Sequence, residues 1–223
     1  MAYSFQKAAF YPRIGKRYGE APYGLKLLVL GESHYRWPDH PEDETTITRV
    51  ALEENWDHHR FFLSLEKLIP LPQGQHGLRG WDTVAFYNYV QEFVGDRPRD
   101  RPTDEMWSSV LTVSAFSEVL EVCKPDRILI VGKTNWRMMA GKDEVPENPP
   151  ILEPSFPLPD SFCAGLNPES ERNAYWYSTG AGSWALAAPI FHTAYPKGFH
   201  GEGTKEVIAQ LLSKEWRAPN AKG

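Results

Sequence analysis

Four short runs of the chain carry the residue types that hydrolytic chemistry needs, and each follows or closes an apolar run. Glu32, Ser33, His34 and Tyr35 follow the stretch from Leu25 to Leu30 and its stop at Gly31. Asn88 stands within Val84 to Val90, ahead of the loop Arg97-Pro98-Arg99-Asp100-Arg101-Pro102. Lys133-Thr134-Asn135-Trp136 follows Ile128 to Val131 and Gly132. His192 opens a run to His200 that includes Tyr195 and Lys197, directly after Ala187 to Phe191. Together they supply a carboxylate, an amide, imidazoles, aromatic faces and cations. A carboxylate stabilises a developing cation and orients a water, and an imidazole donates to a developing anion. An amide offers one donor and one acceptor edge, which suits a heterocycle with the complementary pair.

Bringing these groups together is the task of the apolar runs. Each is short, nearly continuous and ended by glycine or a polar residue, as for a strand buried on both faces of a parallel sheet. Asn173 to Ser178 reads as one further strand. Helical periods lie between. Phe61, Leu65 and Leu68 share a face. Met106, Val110, Val113 and Leu120 share another in a segment that begins after Pro102. Val207, Ile208, Leu211, Leu212 and Trp216 form a stripe, with Thr204 as its N-cap. The alternation predicts an α/β fold: a three-layer sandwich with a mostly parallel central sheet of about four strands flanked by helices. Ligands of open α/β sheets bind outside the carboxyl ends of the strands, so the four polar runs predict one shared site.

The 223 residues read as a single domain, 1–223. An aromatic, glycine-rich stretch over 1–24 reads as an irregular arm, and the six prolines within 145–160 read as a surface loop. Lys plus Arg is 24 against 29 Asp plus Glu, a net charge of -5, which excludes a uniformly basic nucleic-acid binder but leaves room for a local basic groove. Two cysteines, Cys123 and Cys163, exclude a disulfide framework and a four-cysteine metal or iron–sulfur site. No apolar run approaches the roughly 18 residues of a membrane span, and the first residues lack a signal-like apolar stretch. The expectation is a cytoplasmic protein with both cysteines reduced and no membrane partner. His58 and His59 are adjacent on a helical stretch and point apart, so no shared metal is expected. Gly180-Ala181-Gly182-Ser183 lacks the lysine of a phosphate loop. Ser33 lacks the second glycine of a nucleophile elbow, since Tyr35 stands there.

The ordered set resembles the uracil-DNA glycosylase superfamily, from about Leu25 to Leu212. Glu32 matches the Glu of that superfamily's Gly-Glu-Ala-Pro-Gly motif, and Tyr35 the Tyr of its Gly-Gln-Asp-Pro-Tyr-His form. Asn88 matches its base-reading Asn, and an Arg/Pro loop follows as it often does there. The run Ile-Leu-Ile-Val-Gly ending at Gly132 looks like its third strand. His192 matches the His of its His-Pro-Ser loop. Departures are Ser33 where one branch has a water-activating Asp, His34 for Pro, and Thr193-Ala194 for Pro-Ser. The cysteines of the iron–sulfur branches are missing.

The resemblance implies a base-excision DNA glycosylase that cleaves the N-glycosidic bond of uracil or another deaminated base. It would act without metal or cofactor, as a monomer, on DNA whose target base is extruded or single-stranded. Glu32 and His192 would be catalytic, Asn88 and Tyr35 would recognise the base, and Ser33 and His34 would belong to the same loop. Arg97, Arg99, Arg101, Lys133 and Lys197 would contact DNA. Two other functions fit the same residues: a noncatalytic nucleic-acid or nucleotide-binding protein on this fold, and an unrelated small-molecule hydrolase using Glu32 and His192.

Overall fold

The structure, a computed structural model, describes residues 3–21, 23–36, 48, 60–68, 80–97, 100–139, 155–163 and 172–219. Its centre is a six-stranded mixed sheet. The strands are β1 (Arg13–Ile14), β2 (Leu27–Gly31), β3 (Val84–Asn88), β4 (Arg127–Val131), β5 (Tyr175–Ser178) and β6 (Trp184–Ile190), in the order β1-β3-β2-β4-β6-β5. The four strands of the long apolar runs, β3, β2, β4 and β6, are parallel neighbours. Every residue of β2, β3 and β4 is buried, which is why these segments read as unbroken apolar runs.

The expectation of about four strands is corrected by two antiparallel edges. β1 pairs with β3 and lies inside the arm read as irregular; two residues are too few to show a period. β5 pairs with β6 through a hairpin whose turn is the Gly180-Ala181-Gly182-Ser183 run. All of Gly180, Ala181 and Gly182 have positive φ, and Thr179 N–H donates to Ser183 O at 2.8 Å. The glycines therefore serve a reversal of the chain.

Among the described helices are α1 (Arg60–Glu66), α2 (Asp104–Ser108), α3 (Val110–Cys123), α4 (Lys133–Met138), α5 (Asp160–Cys163), α6 (Pro196–Phe199) and α7 (Glu202–Leu211). The segment after Pro102 is two helices, not one. Ser109 leaves the helical region and its hydroxyl accepts from Thr112 N–H, restarting the chain as α3. That break rotates the buried face to Thr112, Ala115, Phe116, Val119, Leu120 and Cys123, and leaves Val110 84% exposed. Thr204 is not the N-cap of α7; Gly201 is, and Thr204 is buried within the helix. The described part of the proline-rich stretch is packed at Phe156 and Leu158, while 145–154 lies outside the described residues. Among the described residues, no helix is long and apolar enough to cross a membrane.

From β2 the chain moves to one side to form β3, then returns past β2 to form β4 and β6 on the other. The carboxyl ends of β2 and β4 therefore flank the point where the strand order reverses. Connections leave those ends in opposite directions, and a ligand can reach between them.

Candidate functional site

The site begins where β2 and β3 end. Gly31 and Asn88 are register partners, and a Cβ on Gly31 would stand 2.1 Å from Asn88 Oδ1 and 3.0 Å from the Phe86 ring. Only glycine admits the amide so close. Asn88 Nδ2 donates to Ser33 O and to His34 Nε2, both at 3.1 Å. A carbonyl takes only a donor, so the amide's orientation is set by its partners. His34 Nε2 also lies 3.1 Å from the Thr48 hydroxyl. Accepting at Nε2 places the His34 proton on Nδ1. The ring is buried against Phe10, 4.6 Å between centroids, and burial pushes its pKa down to about 3. Backbone bonds continue the pairing beyond the strands: Val90 N–H to Glu32 O at 2.9 Å and Val94 N–H to His34 O at 3.0 Å. Asn88 and His34 thus brace the loop that carries Glu32 and Tyr35. The sequence reading gave Asn88 a free donor for a base; here both N–H groups are committed to that loop.

Glu32 is 18% exposed, and Arg101 Nη1 stands 3.9 Å from its Oε1. The same nitrogen donates to the Tyr35 hydroxyl at 3.1 Å. Burial raises the Glu32 pKa, and the Arg101 charge partly offsets it. Burial likewise raises Tyr35, with Arg101 again opposing. The Ser33 hydroxyl is buried beside Tyr35, whose pKa it helps to hold down, and no partner among the described residues meets it in full hydrogen-bond geometry.

His192 follows β6. Gly132, at the end of β4, has φ +107 and places its Cα close to the His192 side chain: a Cβ there would lie 3.7 Å from His192 Cβ. Gly132 N–H donates to Ile190 O at 2.8 Å, fastening the two strand ends together. His192 Nδ1 accepts from Ala194 N–H at 3.1 Å, so the ring proton of the neutral form sits on Nε2. Phe61 packs on the ring at 5.5 Å. Burial lowers the His192 pKa, and the positive charge of Arg101 lowers it further. The residue as a whole is nonetheless exposed, its desolvation coming from the face packed on Phe61. Arg101 therefore stands within electrostatic reach of Glu32, Tyr35 and His192 together.

The remaining cations divide. Lys133 turns onto aromatic rings, its Nζ 5.2 Å from the Phe162 centroid and 5.4 Å from that of Phe191. Lys197 is exposed on α6. Arg97 is 83% exposed and lies 3.6 Å from Asp100. Arg99, Trp37, His58 and His59 lie outside the described residues.

One residue had no assigned role in the sequence reading. Asn135 on α4 is fully buried, and its Nδ2 donates to Gly31 O at 3.0 Å and to Leu30 O at 3.4 Å. It ties the start of α4 to the end of β2, across the point where the strand order reverses. Its Oδ1 is buried without a partner among the described residues. The only signal in the sequence is a polar side chain just after the glycine that ends a buried strand; nothing there shows that it turns back to β2.

No family model matches the chain, and no curated protein matches it.

Proposed function

We propose that this chain is a divergent member of the uracil-DNA glycosylase superfamily, with that superfamily's three-layer sandwich. It acts as a cytoplasmic monomer and hydrolyses the N-glycosidic bond of uracil or another deaminated base in DNA. One observation carries the reading. His192 is a neutral imidazole with its proton on Nε2, and Nε2 has no partner among the described residues. Such a group donates a hydrogen bond to a base carbonyl as the base leaves with the bonding electron pair. Glu32 supplies the opposite charge. As the C1′–N bond breaks, the sugar becomes cationic; the carboxylate stabilises it and orients the water whose oxygen bonds to C1′, and the proton that water gives up ends on the departed base anion. Tyr35 offers a ring face beside the base.

Noncatalytic nucleic-acid or nucleotide binding is the second reading, and Asn88 favours it. With both donors held by Ser33 and His34, the amide has no free N–H for uracil's carbonyl.

Oligonucleotides containing uracil, hypoxanthine, xanthine or a thymine mismatch, scored for abasic sites, test the proposal. The expected result is base release from at least one, slowed about 10²–10³-fold in Glu32→Gln and in His192→Ala. Binding without release from any of them selects the second reading. Full activity in both variants removes the two residues from the mechanism.

A further inference from the structure

Arg101 is held weakly on one edge and is open on the other. Among the described residues its polar contacts use a single nitrogen: Nη1 reaches the Tyr35 hydroxyl at 3.1 Å, Asp100 O at 3.2 Å and Glu32 Oε1 at 3.9 Å. Nε and Nη2 have no partner among the described residues. The side chain is 59% exposed while Glu32 is only 18% exposed. Among the described residues, the charged and titratable groups that face the guanidinium are Glu32, Tyr35 and His192. Asp100, its chain neighbour, spends its carboxylate on Arg97 N–H at 3.1 Å and on the Arg97 side chain.

A guanidinium matches two oxygens of a phosphate with two parallel N–H bonds, whereas the Glu32 contact is single and long. We infer that Arg101 is an exchangeable counter-ion: a phosphodiester draws its Nε/Nη2 edge outward and leaves Glu32 without a cation. No bond is made or broken; one anion replaces another. The exchange couples anion binding to the charge beside the reacting sugar, so that the carboxylate is at full strength only once a phosphate is in place. That the phosphodiester belongs to a DNA backbone rests on the proposed glycosylase function; the exchange itself rests on the geometry of Arg101.

Coupling is reciprocal, so removing the carboxylate must strengthen anion binding. The probes are dimethyl phosphate and an undamaged oligothymidylate, neither of which offers a base to excise. Binding is measured in wild type, Glu32→Gln, Arg101→Gln and the double variant. Glu32→Gln is expected to bind each probe about two- to fivefold more tightly, the worth of an exposed ion pair. Arg101→Gln should bind more weakly, and its salt slope for the oligonucleotide should fall by about one. The double variant should match Arg101→Gln. A gain from Glu32→Gln that persists without Arg101 is general charge repulsion and overturns the exchange. Equal or weaker binding by Glu32→Gln overturns it too, and leaves DNA binding standing if the oligonucleotide binds. The expected pattern with dimethyl phosphate, together with no binding of the oligonucleotide, supports the exchange and removes DNA as its source. Binding of neither probe overturns it.

Discussion

At His34 the fold keeps an imidazole neutral by burying it and giving its Nε2 two donors, Asn88 and Thr48. Protonation would set a third donor against them. The unfolded ring takes up a proton near its ordinary 6.5, the folded ring only near 3. Below 6.5 the unfolded chain therefore binds more protons. His34's contribution is complete above 6.5 and is lost as pH falls toward 3, by up to roughly 1.4 kcal/mol per unit. Urea unfolding at a series of pH values should show this loss in wild type and a flatter profile in His34→Gln. Parallel profiles for the two proteins would show that His34 does not titrate on unfolding. This residue also marks the limit of what the sequence shows. Its place after a buried strand was legible, as was that of Glu32 and His192, and so was the place of Asn88 within one. That the Asn88 amide spends its donors on this loop was not, because hydrogen-bond partners 54 and 55 positions apart leave no local pattern.

Elements were legible in proportion to their burial. The four central strands are apolar on both faces and announce themselves. The edge strand β1 does not, being two residues long, whereas β5 falls within the run Asn173 to Ser178 that reads as a strand. The turn of a helix face is equally hard to read when a single serine interrupts it, as Ser109 does between α2 and α3. The arm before β2 depends on α3 in a way the sequence also hides. The Glu118 carboxylate accepts backbone N–H bonds from Gln6, Lys7 and Ala8 at 2.7, 2.8 and 3.0 Å. Desolvation raises its pKa, but these three bonds outweigh it and the net shift is downward. Glu118→Gln exchanges an acceptor oxygen for a donor that faces those N–H groups. Amide hydrogen exchange at Gln6, Lys7 and Ala8 should accelerate about tenfold or more, with β2 and β4 unaffected. Unchanged protection at all three amides would mean that the arm is held by Phe5 and Phe10 packing alone.

For the molecule as a whole, a net charge of -5 and a cation at the site, Arg101, are compatible, because only the field near the site steers a ligand. The sheet order has a different consequence. β2 sits between β3 and β4, so its residues 27–31 find their partners at 84–88 on one side and, for 27–30, at 127–130 on the other. During synthesis this strand emerges long before either neighbour, and one of its edges stays unpaired until β4 has left the ribosome. An open apolar edge is a template for wrong pairing. Nascent chains stalled with β4 still inside the ribosome should be digested readily by protease, and chains stalled beyond β6 should resist. Resistance in the shorter chains would mean that β2 and β3 form a stable unit by themselves. Otherwise the strand that leads into Glu32 is one that gains from a chaperone while the protein is being made.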